Sequence, residues 1–434
     1  MHRLQPISDS RPLRLLLFFM LYAAQGVPLG LFNFAVPGWL AANGASAVQV
    51  GAVLAASSLP WTLKFLNGFL MDRYAFLPMG RRRAWIIGGQ ALFLLGLVVL
   101  AVRDPGVGDV VLIAGFAFVL NLAVNFQDVA TDGMAADLVP EEERARTSGV
   151  MFGGQSIGIA ATTALGGLLL ADFGLRGAAL ACAAYGVVVL AAVLMCRERQ
   201  GERLLPWSVG EASAISKSTH AGAWGPVFFA SLNAMKTRGS LLLVGSMLLF
   251  GLAWGVGLGV FPLLATQEAG MTQQEYSALS GSGSLAGGML GLLVFGLVAD
   301  LIGPLRLLRA AFVGGAFGAA AMLMVQTGWS SPWTVTLFVM GIMICRVMVL
   351  VPFGALAMGL CVPAVAATQM TLFNASGNLG ITLAGTLLGP LDAAGGKPAM
   401  VGAMLAFFLA GLTLAMAMRR DARDPGLAAV AGAT

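Results

Sequence analysis

The chain has 434 residues, 58% hydrophobic and only 10% charged, at a mean hydropathy of +0.86. A soluble domain carries about a quarter charged residues, so a water-soluble enzyme is excluded and an integral membrane protein is expected. The net charge of +5 reads as Lys/Arg in membrane-flanking loops, with no nucleic-acid partner.

The N-terminus places Arg3, Arg11 and Arg14 before an apolar run. This resembles a signal peptide, but the run continues to about Leu40, too long for a signal h-region, and reads as a retained first membrane helix. Cys182, Cys196, Cys345 and Cys361 fall in or beside apolar runs, with neither metal-ligand spacing nor a disulfide framework. His2 and His220 lie outside the spans, so no intramembrane histidine relay is available. No metal and no cofactor are expected.

A spanning helix needs roughly 20 apolar residues. That rule predicts twelve segments, at about 14–40, 46–70, 84–102, 109–133, 145–171, 174–196, 240–266, 273–299, 305–327, 332–359, 366–391 and 398–418. The domains read as a six-helix bundle over 1–196, a central cytoplasmic linker over 197–239, a second six-helix bundle over 240–418 and a cytoplasmic tail over 419–434. With the N-terminus inside, 20 of the 25 Lys/Arg fall in inside segments; Arg103, Arg176 and Lys397 fall outside, and Lys64 and Arg346 lie within spans. The bias predicts both termini cytoplasmic.

After the second span comes a polar loop, Gly68 to Arg83, holding Asp72, Arg73, Gly80, Arg81, Arg82 and Arg83. So polar a cluster belongs at a membrane face. A weaker copy follows the eighth span: Gly296-x-x-x-Asp300 repeats Gly68-x-x-x-Asp72 after 228 residues, with Gly303, Arg306 and Arg309 following. Ser46 and Thr272, ahead of the second and eighth spans, can each cap the helix that follows. Parallel six-span halves are a transporter layout. Between the fourth and fifth spans, Pro140-Glu141-Glu142-Glu143 suits a helix start; salt bridges from these glutamates to Arg81–Arg83 are a secondary expectation.

Gly68-x-x-x-Asp72-Arg73 with Gly80-Arg81-Arg82-Arg83 resembles the loop motif of the major facilitator superfamily. Leu59-Pro60-Trp61-Thr62-Leu63-Lys64-Phe65-Leu66, Met71-Asp72-Arg73-Tyr74, Gly80 to Trp85, and Gln127-Asp128-Val129-Ala130-x-Asp132-Gly133 with Asp137 and Pro140 to Arg144 resemble the AmpG-type, muropeptide permease-like subfamily. The match covers most of the N-terminal half. Where those permeases usually carry Trp-x-Pro before the loop aspartate, this chain has Asn67-Gly68-Phe69. The resemblance implies an all-α membrane protein of two pseudo-symmetric six-helix bundles. It implies secondary active transport by alternating access, with the loop aspartate and glycines as a gate.

Charge within a bilayer is costly, so ionisable residues there are functional candidates. Asp128 and Asp132, four apart on the fourth span, share a helix face. Asp132 sits near the membrane edge and is expected to be wet. Lys64 and Asp128 have similar depth and are expected to pair, either as a permanent bridge or with Asp128 carrying a proton through the transport cycle. Arg346 is the sole charge of the tenth span and suits a carboxylate or phosphate. Gln25, Asn33, Asn125, Gln127, Gln155, Asn374 and Asn378 supply neutral hydrogen-bonding groups, some of which only join helices. No Gly-Lys-Ser/Thr follows a glycine run, which argues against ATP-driven transport.

The expected function is a secondary, proton-coupled transporter of a polar or anionic small molecule, such as an anhydromuropeptide, in the bacterial inner membrane, acting as a monomer. Alternatives are siderophore uptake, drug efflux or, in another class, a non-transporting membrane assembly factor.

Overall fold

The computed structural model describes residues 6–43, 47–219 and 224–418. Ser46, His2, His220 and the tail 419–434 lie outside them. Every regular element among the described residues is helical.

The helices are α1 (Arg11–Ala35), α2 in two pieces (Ala47–Thr62 and Lys64–Arg73), α3 (Arg83–Arg103), α4 (Val110–Leu138), α5 (Glu141–Leu170) and α6 (Asp172–Met195). After the linker come α7 (Arg238–Glu268), α8 (Gln273–Leu290, continued by Gly291–Phe295 and Gly296–Ile302), α9 (Pro304–Met324), α10 (Pro332–Leu360), α11 (366–394) and α12 (397–417). Ten stretches of the described residues are long and apolar enough to cross a membrane. The α2 pieces are not among them: the helix is interrupted at Leu63, beside Lys64 and three residues after Pro60. In the run that begins at Ala366, the qualifying stretch is Thr386–Ala417.

Glycine makes the tightest reversals. At Gly174, in the first turn of α6, φ is 60° and ψ is −164°. At Gly396, between α11 and α12, φ is 63°. Both conformations are strained for residues with a Cβ. Thr272 caps α8 with a full capping box: its side chain accepts from the Glu275 N–H at 3.2 Å, and Glu275 Oε2 accepts from the Thr272 N–H at 2.7 Å. A cap of this kind contributes about 1 kcal/mol.

The Ile7 N–H donates to the Arg197 carbonyl at 2.8 Å, and Arg238 Nη2 donates to the Ala417 carbonyl at 3.4 Å. The described chain ends and the linker therefore share one face with the Gly68–Arg83 loop, hereafter the basic face. The halves meet along α2–α11, α4–α11, α5–α8 and α5–α10. One apolar core, including Phe18, Met134, Phe152, Met247 and Phe373, runs through both halves; a second, around Phe32, Phe93 and Leu120, stays within the first.

Candidate functional site

The Gly68–Arg83 loop builds a lock at the basic face. Asp72, fully buried, ends α2 and accepts from both the backbone N–H and the hydroxyl of Thr368, each at 2.8 Å. Thr368 lies in the first turn of α11, where free N–H groups and the helix dipole favour a carboxylate. One side chain thus joins the two halves. Arg82 Nη2 lies 2.7 Å from Asp72 Oδ1, while its Nε lies 3.1 Å from Asp137 Oδ2. Arg81 donates across the seam to the Pro363 carbonyl at 2.7 Å.

Gly68 lets α2 approach α11: a Cβ there would stand 2.5 Å from Thr371 Oγ1 and 2.8 Å from Thr368 Cα. The repeat reproduces this geometry more weakly. A Cβ on Gly296 would stand 3.0 Å from Arg146 Cα, and Asp300 pairs with Arg146 Nε at 3.3 Å in a partly exposed position. Across the same contact, a Cβ on Gly149 would meet the Gly291 carbonyl at 2.6 Å.

The acids after α4 act differently from the secondary expectation. Glu143 takes Arg14 at 2.6 Å and does not pair with Arg81–Arg83. Those arginines have other partners, among them Glu198 from the linker, which the sequence reading missed. The fully buried Glu198 carboxylate accepts from the backbone N–H of Arg81, Arg82 and Arg83 at 3.1, 3.1 and 3.2 Å. Arg83 donates back to linker carbonyls at Arg203 and Leu204. The first part of the linker is therefore packed onto the N-terminal half. Burial first, and then Glu202, push the Glu198 carboxyl above its usual range.

Deeper lies a sealed charge cluster. Lys64 Nζ is 2.8 Å from Asp128 Oδ2 and 3.8 Å from Asp132 Oδ2. Asp132 is fully buried rather than wet, because its neighbours cover it. The Tyr22 hydroxyl of α1 donates to one carboxylate oxygen; Asn374 Nδ2 of α11 donates to the other at 2.8 Å. Two carboxylates share one lysine, and the deeper-set pair is tied to the opposite half through Asp132. Tyr22 carried a signal in its position, a polar tip on the first apolar segment, three residues before Gln25.

The expected neutral groups divide. Asn125 bonds Asn67 and the Pro60 carbonyl, satisfying backbone near the α2 break. Gln127 donates to the Leu21 carbonyl. Asn33 accepts from Ser57 at 2.7 Å. Gln155 donates to Gln25 at 3.0 Å, and the buried Gln25 Nε2 has no protein partner among the described residues. Asn378 is half-buried on α11, one turn beyond Asn374.

Arg346 is half-buried on α10, with its guanidinium 5.4 Å from the centroid of the Trp254 ring on α7. No salt bridge among the described residues includes it. Trp254 stabilises the cation without neutralising it. At the end of α8 away from the basic face is a cavity of about 520 Å³, lined by Met271, Glu275, Leu279, Ser282, Pro332 and Met340 among others. The described residues contain no group of three or more His, Cys, Asp or Glu able to hold a metal ion.

Against known proteins, residues 15–385 match the family model of the Major Facilitator Superfamily. The anhydromuropeptide permease of Escherichia coli strain K12 is 25% identical over 382 residues, covering 84% of this chain and 72% of the permease. Among solved structures, the human organic anion transporter MFSD10 (TETRAN) superposes with a TM-score of 0.67 at 16% identity, over 94% of this chain and 100% of that one. The transporter FucP in its outward conformation gives 0.67 at 14% identity, over 94% and 99%. At these identities the two structures speak to the fold alone.

Proposed function

The chain belongs to the Major Facilitator Superfamily and is a multi-pass membrane transporter, and from that premise we propose that it imports an anionic, amphipathic solute of the anhydromuropeptide class together with protons. The setting is the bacterial inner membrane, with twelve spans and the basic face in the cytoplasm. The charge bias and the similarity to the anhydromuropeptide permease support this reading.

The observation that carries the coupling is the cluster of Lys64, Asp128 and Asp132, tied to the second half by Asn374. One lysine and two ionised carboxylates leave a net charge of −1 in a sealed site, and one proton neutralises it. Asp128 holds the lysine at 2.8 Å. Asp132 is therefore the proton carrier in this reading, and Lys64–Asp128 is the permanent bridge, one of the two roles weighed for that pair.

An amide N–H bonds an ionised carboxylate more strongly than a neutral one. Protonating Asp132 weakens its tie to Asn374 and eases the α4–α11 seam. The Asp72–Thr368 lock then yields, the basic face opens, and proton and solute leave together. Deprotonation restores the tie. Gly68 and Gly296 let the seams close tightly, and the Asp72 lock carries more of the gating than its partly exposed counterpart at Asp300.

Arg346 receives the solute's anionic group. Its guanidinium has no acidic partner among the described residues, and Trp254 supplies an apolar ring beside it. Gln25 and Gln155 add hydrogen bonds to the polar part of the solute. Uptake of radiolabelled anhydromuropeptide and of a ferric siderophore, compared in vesicles with and without the protein, tests the cargo. Protein-dependent uptake of the muropeptide alone is expected; protein-dependent uptake of the siderophore alone contradicts the assignment.

A further inference from the structure

The last turns of the linker form a helix, Trp224–Met235, that no part of the transport reading uses. It packs on the Lys64–Arg73 piece of α2, on the turn Pro363–Val365 and on the helical run that begins at Ala366. It therefore bridges the α2–α11 seam, where Asp72 meets Thr368. Phe228 stacks on Phe69 of α2, with centroids 6.5 Å apart at 26°.

Its outward stripe is apolar except at Asn233. Phe228, Phe229 and Leu232 are 53%, 63% and 40% exposed, at helical spacing, while Ser231 and Ala234 are buried. In water such a stripe is unfavourable. Here it lies on the Lys64–Arg73 piece of α2, which the exposed aromatics Tyr74 and Phe76 follow in the chain. The exposed cations Lys236 and Arg238 follow directly. An apolar stripe, an aromatic collar and flanking cations match the boundary between acyl chains and anionic headgroups.

We propose that Trp224–Met235 lies in the leaflet at the basic face, with Phe228, Phe229 and Leu232 among acyl chains and Lys236 and Arg238 against anionic phospholipid headgroups, and that this lipid contact braces the α2–α11 seam. An anionic leaflet holds the helix down and keeps the lock shut; a neutral one releases it. Phe229 and Leu232 are the side chains to alter, since Phe228 also stacks within the protein.

The test uses the full chain in nanodiscs of phosphatidylcholine alone or mixed with phosphatidylglycerol, with amide hydrogen exchange read over 64–73. Exchange about tenfold slower in the anionic discs is expected, and Phe229→Ser with Leu232→Ser, or Lys236→Gln with Arg238→Gln, abolishes the difference. Equal exchange in both lipids, or slowing that persists in both variants, overturns the proposal. So does slowing that follows the number of protein copies per disc, because a second copy then covers the face. A fluorophore on Phe229→Cys, with the four native cysteines replaced by serine, gives a reading that does not depend on those variants folding. Quenching by lipids brominated on their acyl chains is expected; an unquenched probe overturns the proposal.

Discussion

Asp132 and Asp128 are the same residue type on one helix face, yet their partners separate their roles. Asp128 is neutralised by Lys64 within the first half, whereas Asp132 spans to Asn374 in the second. Asp132→Asn is expected to abolish pH-gradient-driven uptake while leaving solute exchange; driven uptake at the wild-type rate would remove Asp132 from the coupling. Lys64→Met leaves two buried carboxylates without their cation and is expected to cost about 3 kcal/mol or more, read as lowered thermal stability in detergent. Adding Asp128→Leu should recover much of that loss without restoring driven uptake. At Arg346, lysine keeps the charge and loses the planar fork, so Arg346→Lys is expected to weaken muropeptide binding about tenfold. Unchanged affinity in a direct binding titration would mean that no bidentate contact is made. The Lys64–Asp128 pair was legible because helix rise converts sequence offset into depth. The burial of Asp132 was not, since Tyr22 and Asn374 reach it from helices distant in the chain.

At the scale of elements, the seams depend on glycine where helices nearly touch. Gly68→Ala puts a methyl group 2.5 Å from Thr371 Oγ1 and is expected to cost about 1–3 kcal/mol of seam stability. Spin labels across α2 and α11 at the basic face should then report a longer mean distance, whereas Gly88→Ala, with nothing within 4 Å of the added Cβ, should not. The Glu198 latch adds a pH dependence. Its carboxyl is raised above the usual range in the folded state, chiefly by burial. A carboxyl shifted this way contributes stability that is present below its unfolded pKa and lost as pH rises through its folded one. Amide exchange at Arg81–Arg83, corrected for intrinsic rates, should therefore speed up as pH climbs above the usual glutamate range. Glu198→Gln should flatten that rise; an unaltered profile would assign the dependence to another group. The Thr272 cap was readable from a threonine standing just ahead of the eighth span. The latch was not, because an acid just after α6 looks like any exposed loop residue until the linker folds back.

For the whole molecule, composition pointed to the membrane class, and the repeat of Gly68-x-x-x-Asp72 at Gly296-x-x-x-Asp300 pointed to two halves. Among the described residues ten stretches are long and apolar enough to cross a membrane; α2, cut at Leu63 into helices of 16 and 10 residues, and α11 before Thr386 fall outside them. Those two helices form the seam that carries Asp72 and Thr368. The halves are asymmetric in the same sense. The first holds the buried lock and the charge cluster, while the second presents Arg346 beside Trp254. In the proposed mechanism, coupling follows from joining them through Asp132 and Asn374. The most direct test reconstitutes the purified protein in liposomes with a pH-sensitive dye inside and adds anhydromuropeptide outside. We predict solute-dependent acidification of the lumen that is lost in Asp132→Asn. Muropeptide entry without acidification, or acidification that persists in the variant, would contradict the account.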